Sequence, residues 1–382
     1  MMYQKKIKVM FIIDFIHGLA GGTENQLVKL INNLPTHKYD LYLVSLRTTQ
    51  WLKKNASQLK CTTQTFYVIK LKNPLSIISF ISVFRYIKIK SPDVVVTFFP
   101  LSNIAGVFIA KLAGVKLILS TRRDYGLWLN QWSIPLLKIA NNWVTRIVVN
   151  SHKVKELICR KEYCDSSKID VIYNGIELND FKEKEIDGES RKDLLGIPPQ
   201  SKVVGIVGGL KPMKRHRTFL QAAQVVLHTQ PDTHFVIVGD GPLRSELENF
   251  SSELGIAEKV HFAGSQKDVR PYLSLLDIGV NCSANEGFSN AIMEYMAYGV
   301  PCIVSSAGGN PELIDDHVNG YTFGLDNHAE LAQCIIRLLD DTITRRQFIA
   351  ASQNRIQDLS VHKMIAQYDN YFTELVHNAR KP

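Results

Sequence analysis

Apolar residues come in short unbroken runs along the first half of the chain: Ile7–Ile13 (IKVMFII), then 40–46, 65–69, 93–97, 115–120, 146–149 and 170–172. Runs this short and this continuous predict strands buried on both faces, with helical stretches at 23–34, 75–89 and 103–113 between them. Strands that alternate with helices pair in parallel through right-handed crossovers, which predicts a doubly wound α/β sheet. Residues 177–202 are polar, charged and marked by Pro and Gly, and read as a linker. The alternation then restarts with strands at 203–207, 233–238, 259–262, 277–280 and 301–304. Helices intervene near 214–228, 242–254, 290–297 and 329–339. The expected architecture is two Rossmann-like domains, 1–180 and 181–360, facing across a cleft lined by strand carboxyl ends. A last helix near 362–377 can belong to either domain; residues 361–382 are set apart on the expectation that they pack back on the first.

Composition agrees with two ordinary cores: 382 residues, 45% hydrophobic and 21% charged. Disordered, collagen-like and fibrous classes are excluded. Six cysteines (Cys61, Cys159, Cys164, Cys282, Cys302, Cys334) are scattered, with no C-x-x-C and no His at finger spacing. Neither a zinc site nor a disulfide framework is expected, and a reducing, cytoplasmic compartment fits. Lys5, Lys6 and Lys8 precede an apolar stretch interrupted by Asp14, which reads as a first strand and not as a leader. No run has the length of a transmembrane helix. Charge changes the picture more than composition does. Residues 1–190 carry 27 Lys and Arg against 15 Asp and Glu, whereas residues 191–382 carry 18 against 21. A basic front half suits phosphorylated substrates, anionic lipid or nucleic acid; the absence of a recognisable nucleic-acid motif argues against the last.

Candidate chemistry sits in the loops after strands. Gly21-Gly22-Thr23-Glu24 follows the first strand, where glycines and helix-start amides can meet a phosphate; alone it reads more simply as a turn with Thr23 as N-cap. Val207-Gly208-Gly209-Leu210-Lys211-Pro212-Met213-Lys214-Arg215-His216-Arg217 gathers cations at a helix start. Those cations oppose the macrodipole unless an anion sits there, so a diphosphate clamp is expected. The loop lacks Walker A spacing, and P-loop hydrolysis of ATP is not supported. Gly239-Asp240-Gly241-Pro242 is a tight turn. Glu286-Gly287-Phe288-Ser289-Asn290-Ala291-Ile292-Met293-Glu294 is the sharpest feature. Glu286 sits in the loop and the second carboxylate falls about two turns into the ensuing helix, so the pair can hold two parts of one polyol. An acid/base pair of a glycoside hydrolase is the other reading of such glutamates. Gly308-Gly309-Asn310-Pro311-Glu312 supplies another glycine loop, and Asn174-Gly175 a turn at the domain junction.

In this order, the blocks GGTE, VIYNGIELNDF (171–181), VGGLKPMKRHRTFLQAA (207–223), VGDGPLRSELE (238–248), VHFAGSQKDV (260–269) and NCSANEGFSNAIMEYMAYGVPCIVSSAGGNPELI (281–314) resemble the family 4 (group 1) glycosyltransferases of GT-B fold. The resemblance covers most of the second domain and little of the first beyond the glycine loop. It implies retaining transfer of a hexose from a nucleotide-sugar donor, without a protein-bound metal or cofactor. UDP is the family's prevalent nucleotide, with GDP and ADP left open. By resemblance Lys214 contacts the donor diphosphate, Glu294 the ribose hydroxyls and Glu286 the donor sugar, with amides of Gly287, Phe288, Ser289 and Asn290 beside it. The segment at His261–Phe262 would meet the base through its backbone, and Gly21 and Gly22 would approach the phosphate. The family commonly has Arg where this chain has Gly209, which leaves Arg215 or Arg217 as substitute cations. The family often places a His, or an Asp near it, at a strand end of the first domain; here Ser120-Thr121-Arg122-Arg123-Asp124 offers Asp124, with Arg122 or Arg123 to meet an anionic acceptor.

The implied partners are a nucleotide-sugar and a glycan or lipid-linked acceptor of cell-surface polysaccharide or glycolipid synthesis. Residues 75–90 (LSIISFISVFRYIKIK) pair apolar side chains with Arg85, Lys88 and Lys90, which suits peripheral binding to an anionic inner membrane face. Two alternatives stand beside transfer: a sugar-nucleotide epimerase of the same fold, and a non-catalytic nucleotide-sugar-binding subunit.

Overall fold

The computed structural model describes residues 5–19, 21–68, 75–124, 126, 133–181 and 188–381. The chain divides into two compact units, one of residues 1–175 with 361–382 and one of residues 176–360.

The first unit is built on a parallel sheet of β1 (Ile7–Ile13), β2 (Tyr39–Ser45), β3 (Thr62–Thr65), β4 (Val94–Phe98), β5 (Leu117–Arg122), β6 (Arg146–Val149) and β7 (Ile169–Val171). Among the described residues the spatial order is β3-β2-β1-β4-β5-β6-β7, reversing direction of growth between β1 and β4. The central strands β1 and β4 are buried except at Lys8, as their runs rich in Val, Ile and Phe require. One face of the sheet is covered by the helix Gly22–Asn33 and by the terminal helix Val361–Arg380, whose Tyr368, Phe372 and Val376 enter the core with Phe11 and Leu119. The other face packs Val83, Ile87, Val107, Ala110 and Ala140 from three helices. Polar bonds fix the terminal helix as well: Tyr371 donates to Asp170 at 2.6 Å and Tyr39 to Asp369 at 2.5 Å.

The second unit repeats the plan with β8 (Lys202–Val207), β9 (Thr233–Val238), β10 (Val260–Gly264), β11 (Ile278–Asn281), β12 (Cys302–Ser305) and β13 (Gly320–Phe323). These pair in parallel in the order β10-β9-β8-β11-β12-β13. Phe219, Phe235, Ile278, Ile303 and Leu338 form its core.

Several details differ from the sequence reading, among them the third strand, expected at 65–69 and found at Thr62–Thr65. The expected linker is not wholly linker: residues 182–187 lie outside the described residues, but Gly188–Leu194 is a helix, whose Arg191 lies 5.4 Å from the Tyr272 ring. Its charges mask a short helical segment that leads to the buried Ile197. The stretch expected to be one helix at 103–113 begins as a π-helical turn, Ser102–Gly106. Strand β13 also escaped, because GYTF is short and glycine-led. All six cysteines are free thiols.

Candidate functional site

In the second unit the loops after β8, β9, β11 and β12 share one sheet edge. Their close approach depends on two glycines. A β-carbon on Gly239, which has φ +147°, would fall 2.1 Å from the Gly208 carbonyl oxygen, and one on Gly309 would fall 2.1 Å from that of Gly287. Backbone bonds tie the loops together: Gly309 N–H donates to Glu286 O (2.8 Å), Ala284 N–H to Met213 O (2.8 Å) and Leu210 N–H to Asp240 O (3.0 Å).

On this scaffold Lys214 Nζ donates to Glu286 Oε2 at 2.5 Å, with both side chains largely sheltered. Two residues 72 positions apart in the chain are thereby joined at the sheet edge. Glu294 lies half-buried as the fifth residue of the helix Asn290–Tyr298, little more than one turn in and not the two turns expected, eight residues beyond Glu286. Ser289 holds the N-cap position of that helix, yet its side chain does not cap it; the buried hydroxyl accepts from Asn281 Nδ2 at 3.1 Å. The helix His216–Thr229 likewise starts without a side-chain cap. Two helix N-termini beside one sheet edge therefore keep first-turn amides that no side chain caps, a setting that favours anions and hydroxyl oxygens.

A buried polar network supports the Glu286–Asn290 loop. Asn281 Oδ1 accepts from Ser283 N–H (3.0 Å), Asn310 Nδ2 donates to Ser305 Oγ (3.1 Å), and Ser305 Oγ donates to Ser283 O (2.6 Å). Tyr295 is the pin between the two main loops. Its fully buried hydroxyl accepts from Val207 N–H at 2.7 Å and donates to Val280 O at 3.3 Å. Burial holds that phenol well above its ordinary pKa, so it stays a donor. His216, with neither ring nitrogen hydrogen-bonded, is pushed down to about 4 by burial and then by the Lys214 charge. Its ring is neutral at physiological pH.

Four of the expected residues have protein partners of their own. Arg215, in the left-handed region at φ +54°, turns to Asp326, with Nε 3.3 Å from Oδ1. Arg217 pairs with Glu246 at 3.1 Å and lies over the Phe250 ring at 3.7 Å. His261 is second in β10, toward its amino end, where it stacks on His234 with Nε2 2.8 Å from Nδ1. The carboxyl end of that strand is Gly264. Arg122 is no acceptor ligand: its guanidinium is 3% exposed and grips Glu162 at 2.8 and 2.9 Å, with Asn141 beside it. A cation at the strand end points into the core when the partner carboxylate waits there, which sequence alone does not reveal.

Gly21, Gly22 and Asp124 belong to the first unit. Gly21, not Thr23, is the N-cap of the helix Gly22–Asn33, and the Glu24 carboxylate folds back beside it. Asp124 is exposed after β5 and accepts from Gly126 N–H at 2.7 Å. It lines a small pocket with Thr23, Phe99, Asn103, Thr121 and Arg123. Arg123 Nη1 donates to Asn174 Oδ1 at 2.7 Å. Asp14, buried at the end of β1, accepts from Leu101 and Ser102 amides at 3.0 and 2.7 Å and so orients the turn after β4. Among the described residues no cluster of ligating side chains could hold a metal ion.

Comparison with known proteins decides the family. The model of glycosyl transferases group 1 matches residues 188–355, and that of Glycosyltransferase Family 4 matches residues 20–180. The chain belongs to the group 1, family 4 glycosyltransferases. It is 26% identical to the UDP-Gal:alpha-D-GlcNAc-diphosphoundecaprenol alpha-1,3-galactosyltransferase of Escherichia coli, over 94% of this chain and 95% of that protein. A D-inositol 3-phosphate glycosyltransferase of Mycolicibacterium gilvum is 33% identical over 46% of this chain and 40% of that protein. Among solved structures, Anabaena Alr3699/HepE in complex with UDP superposes with TM-score 0.84, at 20% identity over 96% of this chain and all of that one. A glycosyltransferase from Rickettsia africae gives 0.86 at 18% identity over 98% of this chain and all of that one. The glycosyltransferase has the GT-B fold shared by these structures, and it is an enzyme of sugar transfer.

Proposed function

We propose that this glycosyltransferase moves a hexose from a UDP-sugar to a lipid-linked glycan acceptor, with retention at the anomeric carbon. The observation that carries the reading is the Lys214–Glu286 pair, held at the sheet edge between two helix starts without side-chain caps. On this reading Lys214 meets the donor diphosphate, Glu286 the sugar hydroxyls, Glu294 the ribose, and the amides of Gly287–Asn290 the sugar or its phosphate. Asp124 acts beside the acceptor. The anomeric C–O bond to the diphosphate breaks with its electron pair on the leaving oxygen. The acceptor hydroxyl oxygen forms the new bond and its proton passes to the released nucleotide or to solvent. Positive charge and helix-start amides stabilise that leaving group by electrostatic preorganisation.

The near full-length likeness to a galactosyltransferase named for a diphosphoundecaprenol-linked acceptor supports the acceptor class. So does the outer face of the helix Leu75–Lys90, where Ile77, Ile78 and Ile81 are exposed together with Arg85 and Lys88. Such a face suits peripheral contact with anionic lipid. No helix among the described residues is long and apolar enough to cross a membrane. The epimerase alternative gains no support, since the relatives are named as transferases.

Titrating UDP, GDP and ADP against the wild type and Glu294→Ala tests the donor site. UDP binding that weakens roughly ten- to a hundred-fold in the variant fits loss of a charge-assisted hydrogen bond. Equal binding by the variant removes Glu294 from the site, and no binding by the wild type removes the donor reading. Flotation with anionic liposomes, with and without Ile78→Asp, tests the lipid face; no binding by the wild type ends that part.

A further inference from the structure

The diphosphate of a nucleotide-sugar carries two negative charges, and more once the nucleotide is released, and the loop after β8 must balance them. The cations near that loop are almost all committed. Lys214 pairs with Glu286, Arg215 with Asp326, Arg217 with Glu246, and Arg244 with both Asp240 and Glu248. Each such group is neutral or negative as it stands, so none adds net positive charge. Lys211 differs. It is exposed, and its ammonium makes no hydrogen bond or ion pair among the described residues. Its chain runs back along the loop, so that Cε lies 4.0 Å from where a β-carbon on Gly209 would be. Lys214 does the same over the preceding residue, with Nζ 3.9 Å from a β-carbon on Gly208. The two lysine chains thus overlie two successive residues that have no side chains, at the carboxyl end of β8 and beside the start of the helix His216–Thr229.

We infer that Lys211 is the second cation of the diphosphate clamp, taking the place of the arginine that position 209 lacks. The inference rests on the donor-site reading above and gives a role of its own to a lysine that the sequence shows only as one of several cations in the loop. Lys214 gives up part of its charge to Glu286; Lys211 brings an uncompensated one. Its helix-start neighbours favour the same anion. Because Lys211 is exposed, its attraction is screened by salt more than that of Lys214.

Calorimetric titration separates this role from a structural one. UDP, GDP and ADP, and the corresponding nucleosides, are titrated against the wild type, Lys211→Ala and Lys211→Ala combined with Gly209→Arg. Position 209 has room for a side chain, since the nearest atom to its β-carbon is Asp240 O at 3.6 Å and its φ is not positive. Lys211→Ala is expected to weaken the diphosphate about ten-fold, the scale of one charge-assisted contact at an exposed site, while leaving the nucleoside unchanged. Adding Gly209→Arg is expected to restore most of the loss. Undiminished diphosphate affinity in Lys211→Ala, or equal losses for nucleoside and diphosphate, overturns the assignment and leaves the donor site standing. A wild type that binds none of the three nucleotides overturns both.

Discussion

Tyr295→Phe removes one oxygen atom and keeps the ring that fills the space beside Gly279, where a β-carbon would lie 2.8 Å from the ring. The Val207 N–H, bonded to that oxygen at 2.7 Å, is left without its partner beside a fully buried ring, at a residue that is itself half-buried. An orphaned buried amide costs about 1–3 kcal/mol, and the lost donation to Val280 O at 3.3 Å adds a few tenths. For a unit of this size each kcal/mol lowers the midpoint by roughly 2–4 °C, so calorimetry should show the second unit melting about 3–10 °C lower. The same oxygen ties the end of β8 to the helix that carries Glu294. UDP affinity should therefore fall several-fold when the protein is still folded at 20 °C, with no loss of helical circular dichroism. A variant that melts within a degree of the wild type and binds UDP equally well would refute the pinning argument.

Three further outcomes follow from the structure. Glu162→Gln leaves the buried Arg122 guanidinium without its counter-charge, and breaking such a pair costs about 3–5 kcal/mol; the first unit should lose most of its stability by denaturant titration, while the second keeps its own. The His216 ring has a pKa of about 4 in the folded protein against about 6.5 unfolded, so the unfolded chain binds the extra proton between those values. Stability present above pH 6.5 is then lost as pH falls toward 4, and His216→Leu should flatten the dependence of the urea midpoint in that window; unchanged slopes would discard the assignment. Asp124→Asn keeps an oxygen to accept from Gly126 N–H but loses the charge, whereas Asp124→Ala loses both. A carboxylate that acts in transfer makes both variants slow; an Asn variant as active as the wild type reduces Asp124 to a turn residue.

Most of the sheet plan was legible in the chain because fully buried parallel strands are written as unbroken apolar runs, and β1, β4, β8 and β9 are such runs. β13 has only four residues with a glycine and a threonine among them, and the helix Gly188–Leu194 is hidden in a charged stretch. The Lys214–Glu286 contact was approachable from the loops that carry the two residues. What could not be read was the direction of individual side chains. Arg122, Arg215 and Arg217 are alike as letters, yet each turns to a carboxylate brought near by folding: Glu162, Asp326 and Glu246. Ser289 in a GFSN loop looks like a cap and turns inward to Asn281. Tyr295 and Asn281 carried a faint signal, as polar groups inside apolar segments that must find partners when buried.

The terminal helix has a consequence for the order in which the molecule is made. Tyr368, Phe372 and Val376 complete the core that also holds Phe11 and Leu119, yet they leave the ribosome after every residue of the second unit. The second unit has all of its own strands and core residues in hand before that moment and can fold while synthesis continues. The first unit, although begun earlier, keeps part of an apolar sheet face uncovered until the last turns of the helix emerge. A nascent chain stalled before Val361 would present that face to chaperones or proteases, so the unit translated first is the one whose maturation finishes last.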